Sequence, residues 1–273
     1  MTIFNPIRHE RSAREVAHQV EGLILEGVLR VGDQLPGERE IAAAMDVSRP
    51  IVREAIKQLE ADGLLESRHG GGTFVADVIG TVFSPQVSRL LAAHERATAD
   101  FLEYRREIES MAARLAAERS TQADREQLGR LVQRMEDAAE AEDFETEARA
   151  DVEFHSAIGE MAHNLVLLHT LRACYRLLSE GVFQNRARLY RLPGGRQRLL
   201  DQHKAIALAI IAGNAAEAEA EARGHLDYVI AATADLERRE ERERIAELRL
   251  AMRNVNDGRA RNRDGVRGQT GRI

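Results

Sequence analysis

The sequence has few of the features that cross-linked or membrane-spanning proteins require. It contains one cysteine, Cys174, which excludes a disulfide within the chain and favours a reducing cytoplasmic setting. Tryptophan is absent and aromatic residues make up only 4%, while Ala, Glu, Arg and Leu abound, a composition that favours helices over sheets. No stretch approaches the roughly 18 apolar residues of a transmembrane helix, and no secretory signal peptide is visible. We therefore expect a cytoplasmic protein with no membrane partner.

The length of 273 residues predicts two domains. The net charge of −6 is unevenly spread, since residues 1–80 carry 9 Lys or Arg and 13 Asp or Glu, while the C-terminal end is basic. Acidic chains are seldom nucleic-acid binders. The local patterns of the first 80 residues nevertheless indicate one.

These first residues read as helix, helix, helix and hairpin. An amphipathic pattern over Ser12–Gly27 is followed by a short helical stretch over Glu38–Met45 and a tight connection. Ser48 is an expected N-cap and Pro50 fits the first turn of the third helix, which runs to about residue 62. Two β-prone runs then flank His69–Gly72. This order is that of a winged helix-turn-helix.

The remainder of the chain favours helices alone. We expect segments at about 98–119, 122–142, 147–163, 165–190 and 196–236, the last divided near residue 213. The predicted fold is therefore mainly α, a winged helix-turn-helix followed by an all-helical bundle. The predicted parts are a DNA-binding domain (1–78), a linker (79–97), a helical ligand- and metal-binding domain (98–248) and an Arg-rich tail (249–273), with disorder from about residue 254.

The third helix carries three basic residues spaced by four: Arg49, Arg53 and Lys57. They form one ridge away from the apolar stripe of the helix, and such a ridge fits a major groove, where arginine contacts guanine. Ser48 and the free N–H groups of the first turn suit a phosphate oxygen. Arg39 lies on the preceding helix, and His69 with the glycine tip suits a minor groove. The alternative is a solvated face paired with Glu54 and Glu60.

The run from Leu29 to Val75 resembles the DNA-binding domain of the GntR family of bacterial transcription regulators, with LPGERE, VSRPIVREAI and GGGTFV in order. The resemblance covers about residues 11–76. It implies a homodimer that reads a short palindrome in double-stranded DNA. It also implies DNA contacts by Arg39, Arg49 and Arg53, assisted by Ser48, Gly70 and Gly71.

Four residues of metal-ligand type fall on inward-facing stripes of three predicted helices: Asp151, His155, His203 and His225. Burying them unpaired would cost several kcal/mol, whereas one divalent ion would satisfy all four. Three nitrogens and one oxygen suit Zn²⁺, Ni²⁺, Fe²⁺ or Mn²⁺. The alternative is that each histidine is a core residue bonded to a carbonyl or carboxylate.

Residues 98–236 resemble the FCD ligand-binding domain of the FadR subfamily, through Tyr104-Arg105-x-x-Ile108-Glu109, Asp151-x-x-x-His155, His203-x-x-Ile206 and His225-Leu226. In metal-binding members, the Asp and three His are the ligands. The resemblance therefore implies one divalent ion per chain, with Zn²⁺ expected first, and a small organic acid that completes its coordination. Chiefly through VSRP and RHGGGTFV, the chain is most similar to the pyruvate- and lactate-responsive members of this subfamily.

Two further residues are candidates for effector binding. Arg105 lies on an apolar stripe, and an inward guanidinium needs an anion, which an effector carboxylate would supply. The alternative partner is Glu109, one turn away. Asn185 also lies on an apolar stripe, where it would bond either the ligand or the backbone.

The sequence thus predicts a ligand-responsive transcription regulator, expected to be a repressor of metabolic genes and not an enzyme. One alternative is a metal-dependent hydrolase or lyase built on the Asp/His set, although no HExxH-type base accompanies it. Another alternative is a structural metal bundle regulated by a partner protein.

Overall fold

The computed structural model of the chain describes residues 13–68, 70–77, 95–178, 189–190 and 192–267. The N-terminal part comprises α1 (Ala13–Leu25), α2 (Glu38–Met45), α3 (Arg49–Ala61), β1 (Leu65–Arg68) and β2 (Gly72–Val75). The helices described in the C-terminal part are α4 (Glu95–Arg119), α5 (Gln122–Glu140), α6 (Phe144–Met161), α7 (Leu165–Leu178), α8 (Gly195–Ile211) and α9 (Ala215–Arg267). The predicted winged helix-turn-helix followed by a helical bundle is confirmed.

Helix α3 is held in place by one apolar face. Its buried residues recur at helical spacing and are Val52, Ala55, Ile56 and Leu59. They pack in one core with Val16 and Val20 of α1, while the opposite face of α3 stays exposed. This amphipathic arrangement leaves the basic ridge of α3 available to a partner.

The turn between α2 and α3 is tight because one residue takes a left-handed conformation. Asp46 has φ 51° and ends α2, and the N–H of Val47 donates to the carbonyl of Ala42 at 3.0 Å. Aspartate is among the residues that tolerate this region of the backbone map. Ser48 then precedes α3 in extended conformation, and Pro50 occupies its first turn.

The wing is an antiparallel hairpin in which Leu65 pairs with Val75 and Arg68 pairs with Gly72. Its tip requires glycine, because Gly70 has φ 75° and Gly72 has φ 100°. Gln34 fastens the tip to the body of the domain, since its side-chain amide donates to the carbonyl of Gly71 at 2.9 Å. The exposed wing therefore has a defined orientation next to α3.

The C-terminal part is a bundle in which α9 runs along α4, α5 packs on α6, and α8 contacts both α5 and α9. Its fully buried side chains include Phe154, Leu128, Leu171, Ile206 and Ile210. Among the described residues, no helix has the length and apolar character needed to cross a membrane.

The C-terminal helix extends further than the sequence pattern indicates. The basic composition predicts disorder from about residue 254, whereas α9 continues to Arg267. Extending an existing helix avoids the cost of nucleating a new one. The predicted end of the fourth bundle helix near residue 190 cannot be compared, because residues 179–188 lie outside the described residues.

We expect Leu59→Ala to lower the free energy of unfolding of the N-terminal domain by about 2–5 kcal/mol, because it leaves a cavity at a side chain that is 0% exposed. Leu248→Ala is the matched control, since Leu248 is 53% exposed, and it should change stability by no more than about 0.5 kcal/mol. Guanidinium titrations followed by circular dichroism measure both variants. Equal effects would contradict the assignment of Leu59 to the core.

Candidate metal centre and DNA-contacting face

Three helices bring four polar residues into the interior of the bundle. Helix α6 carries Asp151 and His155 one turn apart, α8 carries His203, and α9 carries His225. All four are buried, and His203 is 0% exposed. The structure therefore brings together the four residues that the sequence identifies as candidate metal ligands.

The distances between the candidate ligand atoms fit one common ion. His203 Nε2 lies 3.1 Å from Asp151 Oδ1 and 3.2 Å from His155 Nε2, and His155 Nε2 lies 3.7 Å from the same aspartate oxygen. The three histidines each offer a nitrogen within 4.8 Å of the others. Ligands bound at about 2.0–2.2 Å to one zinc ion are separated by roughly 3–3.5 Å. The distances among Asp151, His155 and His203 are close to these values, and His225 lies near enough to be a fourth candidate ligand.

Contacts at Nδ1 orient two of the histidine rings, those of His155 and His225. Nδ1 of His155 lies 3.0 Å from Glu109 Oε2, and Nδ1 of His225 lies 3.1 Å from Gln202 Oε1. An N–H at His225 Nδ1 donates to Gln202, and His155 Nδ1 lies within ion-pair distance of Glu109. Both contacts leave the Nε2 lone pair for a cation, as in many metal sites. The sequence named Glu109 in the FCD-like motif and as a partner of Arg105, but not as a partner of His155. Gln202 was not singled out from the sequence.

Two groups at the site, Glu109 and His225, have pKa values shifted toward the protonation states that a bound cation favours. Burial alone would raise the pKa of Glu109, but the Arg105 guanidinium and His155 outweigh it and lower that pKa to about 2. Burial, with further effects of His203 and His155, holds the pKa of His225 well below its ordinary value. Glu109 is therefore a carboxylate and His225 a neutral imidazole at physiological pH.

An aromatic ring fixes the histidines from the side. Phe154 is fully buried and lies edge-on to His203, with ring centroids 5.0 Å apart, and edge-on to His155 at 5.4 Å. Edge-to-face pairs at such separations are favourable. The packing leaves these two imidazoles little freedom to turn away from the centre.

Arg105 contacts Glu109, which in turn contacts the candidate ligand His155. It is buried and donates to Glu109, and its guanidinium carbon lies 5.7 Å from the centre of the Tyr175 ring. The ion pair that the sequence left as an alternative is thus the arrangement that the structure has. The chain of contacts runs from Arg105 through Glu109 to His155, so Arg105 supports a ligand ring.

The space next to this centre is small. A cavity lined by Glu109, His155 and Tyr175 has a volume of about 10 Å³. This volume holds about one water molecule. A larger ligand would have to displace side chains, and Asn185, the second effector candidate, lies outside the described residues.

The predicted DNA-contacting residues of α2, α3 and the turn between them are each exposed: Arg39, Ser48, Arg49 and Arg53. The Ser48 side chain makes no capping hydrogen bond to the first turn of α3. Gly70 and Gly71 are exposed at the tip of the wing, and His69 between the strands lies outside the described residues.

A glutamate that the sequence did not single out organises the basic ridge. Arg53 donates to both carboxylate oxygens of Glu38, at 2.9 and 2.7 Å, and Arg49 lies 3.8 Å from the same group. The hydrogen bond from Arg53 is the main cause that lowers the pKa of Glu38. Arg53 is thus held by Glu38 and not by Glu54 or Glu60, the partners that the alternative interpretation of the ridge offered.

Comparisons with known proteins match two separate parts of the chain. Residues 12–75 match the family described as bacterial regulatory proteins, gntR family, and residues 100–228 match the FCD domain. The chain is 38% identical over 223 residues to an Escherichia coli K12 protein that is named as an L-lactate dehydrogenase operon regulatory protein, covering 80% of this chain and 85% of that one. It is 35% identical to the transcriptional regulator LutR of Bacillus subtilis strain 168, covering 76% and 94%.

A solved structure supports the same conclusion. Streptococcus agalactiae GntR is 27% identical to this chain with a TM-score of 0.51, and the match covers 80% of this chain and 99% of that one. The winged helix-turn-helix and the helical domain together define a ligand-responsive, DNA-binding transcription regulator and not an enzyme. The chain belongs to the GntR family and carries an FCD domain.

We expect Glu38→Gln to reduce the discrimination between operator and scrambled DNA, because Arg53 loses the carboxylate that fixes its guanidinium. The affinity of this variant for scrambled DNA should rise, because the substitution removes a negative charge next to the arginines that we expect to contact phosphates. Fluorescence anisotropy with both duplexes, the operator being selected from a random library, measures the ratio.

Glu54→Gln is the matched control, because Glu54 is exposed on α3 and its replacement removes the same charge. It should change the affinity for both duplexes by the same factor. If the two variants behave alike, the Glu38–Arg53 pair has no role in orienting Arg53.

Proposed function

We propose that this regulator is a repressor whose DNA affinity is controlled by a small organic acid at a divalent metal ion. The observation that carries the proposal is the convergence of Asp151, His155, His203 and His225 in a buried centre. Such a set is costly to bury without a cation. When bound, the ion supplies a positive charge and open coordination positions for carboxylate oxygens.

Zinc is the ion that we propose first. Imidazole nitrogens and one carboxylate are zinc ligands, and the oriented histidine rings match its usual surroundings. The same donors suit nickel, iron and manganese, and metal analysis decides among them. Glu109 orients the His155 ring, and Gln202 orients the His225 ring.

A small hydroxy or keto monocarboxylate is the effector that we propose. One relative is named for the regulation of an L-lactate dehydrogenase operon, which supports this class. The cavity of about 10 Å³ next to His155 must widen to admit such a molecule. Binding would thus be linked to a rearrangement of the bundle, which is the physical requirement for a signal.

The same proposal includes DNA contacts by Arg39, Ser48, Arg49 and Arg53, and by the wing with His69, Gly70 and Gly71. The proposal is supported by the exposure of those residues that the structure describes, and by the Glu38 carboxylate that both Arg49 and Arg53 approach. One winged module covers one half-site, so a homodimer on a palindromic operator completes the proposal.

We expect His203→Ala to lower metal content and thermal stability together, because binding to a folded site adds to the free energy of folding. The wild type should contain about one ion per chain, and a chelator should lower its melting temperature. Inductively coupled plasma mass spectrometry and thermal unfolding measure these quantities. His18→Ala, which replaces an exposed histidine on α1, should change neither. A wild type without metal, indifferent to zinc and chelator, would show that the histidines are core residues only.

We expect L-lactate or pyruvate to change the operator affinity of the metal-loaded wild type by a factor of about 5–150. Lactamide, which lacks the carboxylate, should have no effect, and the response should disappear after chelation. Fluorescence anisotropy at constant ionic strength measures the affinity. If a full panel of small organic acids leaves the affinity unchanged while metal is present, the ion has a structural role only.

A further inference from the structure

The two domains meet where α7 contacts the end of α1. Nε2 of His169 lies 3.0 Å from the carbonyl oxygen of Leu25, the last residue of α1. Arg172, one turn further, packs on Gly27, where a Cβ would lie 2.5 Å from the guanidinium. Both basic side chains thus sit at the negative end of the α1 dipole.

Ion pairs connect the same two regions. Arg30 of the N-terminal domain donates to both oxygens of Glu160, at 2.9 and 3.1 Å. Arg172 donates to Glu160 at 2.9 Å, so one carboxylate serves guanidinium groups from both domains. Arg176 of α7 pairs with Asp77, which follows the wing.

These contacts enclose a cleft of about 240 Å³ between the domains. Its lining includes Arg30, Arg172, Arg176, Leu29, Val75 and Tyr175. Among the described residues that line the cleft, three carry guanidinium groups and none carries a carboxylate. The cleft therefore combines an apolar floor with an edge of three guanidinium groups, which share the two carboxylates of Glu160 and Asp77 outside the lining. It is far larger than the cavity next to the candidate metal centre.

We propose that this cleft binds a small organic monoanion with an apolar body, at a site separate from the metal centre. Each guanidinium has five N–H donors, of which the bonds to Glu160 use few, so Arg30 and Arg172 have the chemistry to bind a ligand carboxylate as well. The aliphatic side chains and the Tyr175 ring cover the body of the ligand. None of the four candidate metal ligands lines the cleft.

Tyr175 connects the cleft with the small cavity next to His155. Its ring lines both the cleft and the small cavity next to His155, and the centroids of the two rings lie 6.2 Å apart. A ligand in the cleft would touch both domains and this shared wall. It would favour the relative placement of the two domains in which the cleft accommodates the ligand. It would do so without contacting the candidate metal ligands.

The test uses 4-fluorobenzoate as the probe and 4-fluorobenzyl alcohol as its neutral counterpart. The ¹⁹F line widths of both are recorded with the full-length wild type and with His203→Ala, which lacks the proposed metal. We expect the acid to broaden with both proteins and the alcohol to broaden much less. Arg172→Gln should weaken acid binding by about tenfold or more, because a charge-assisted hydrogen bond is lost. Arg134→Gln, on an exposed arginine paired with Glu153, should bind as the wild type does.

Two further variants keep the test decisive if Arg172→Gln does not fold. Arg30→Gln should weaken binding in the same way, and Ala76→Phe should block the cleft that Ala76 lines. Broadening that is lost in His203→Ala but kept in Arg172→Gln would place the acid at the metal and overturn the proposal. Equal broadening of acid and alcohol, or none by either, would also overturn it. The proposed metal function is unaffected by these last outcomes.

Discussion

The burial of four polar groups in an aliphatic bundle is the constraint on which the C-terminal domain depends. Asp151, His155, His203 and His225 are each costly to remove from water unless every donor and acceptor finds a partner. The protein meets this cost with contacts from α4 and α8, where Glu109 and Gln202 engage the outward nitrogens. The inward nitrogens then face one another at distances that suit a cation. A bundle with an apolar centre would need none of these contacts, so the site determines much of the packing around it.

Helical periodicity explains which parts of this arrangement the sequence predicts. Asp151 and His155 are four residues apart, and so are Arg105 and Glu109, so their neighbourhood follows from one helix alone. Histidines on apolar stripes are likewise assigned to the interior without knowledge of the neighbouring helix. The inward placing of the candidate ligands was predicted on this basis, whereas the family was predicted from motifs such as LPGERE and GGGTFV and the winged helix-turn-helix from the order of its elements.

Contacts between elements were not predictable in the same way. Glu38 holds Arg53 across the turn between α2 and α3, whereas the sequence offered only Glu54 and Glu60 as partners, in the alternative interpretation of the ridge. Gln202 reaches His225 only because α8 and α9 pack in a particular register. The cleft between the domains depends on how α1 and α7 are placed relative to each other. Such relations arise from tertiary packing, which no single helical pattern encodes.

Helix α6 joins the proposed metal centre to the domain interface. It carries Asp151 and His155 near its middle and Glu160 near its end, and Glu160 binds Arg30 of the N-terminal domain. The rise from His155 to Glu160 is about 7.5 Å, within one rigid element. Because close-packed helices shift as units, a ligand that widens the small cavity next to His155 would also move Glu160 relative to Arg30. The ion pair between Glu160 and Arg30 is therefore one contact, beside those of His169 with Leu25 and Arg176 with Asp77, through which a ligand at the proposed centre would affect the domain that carries α3.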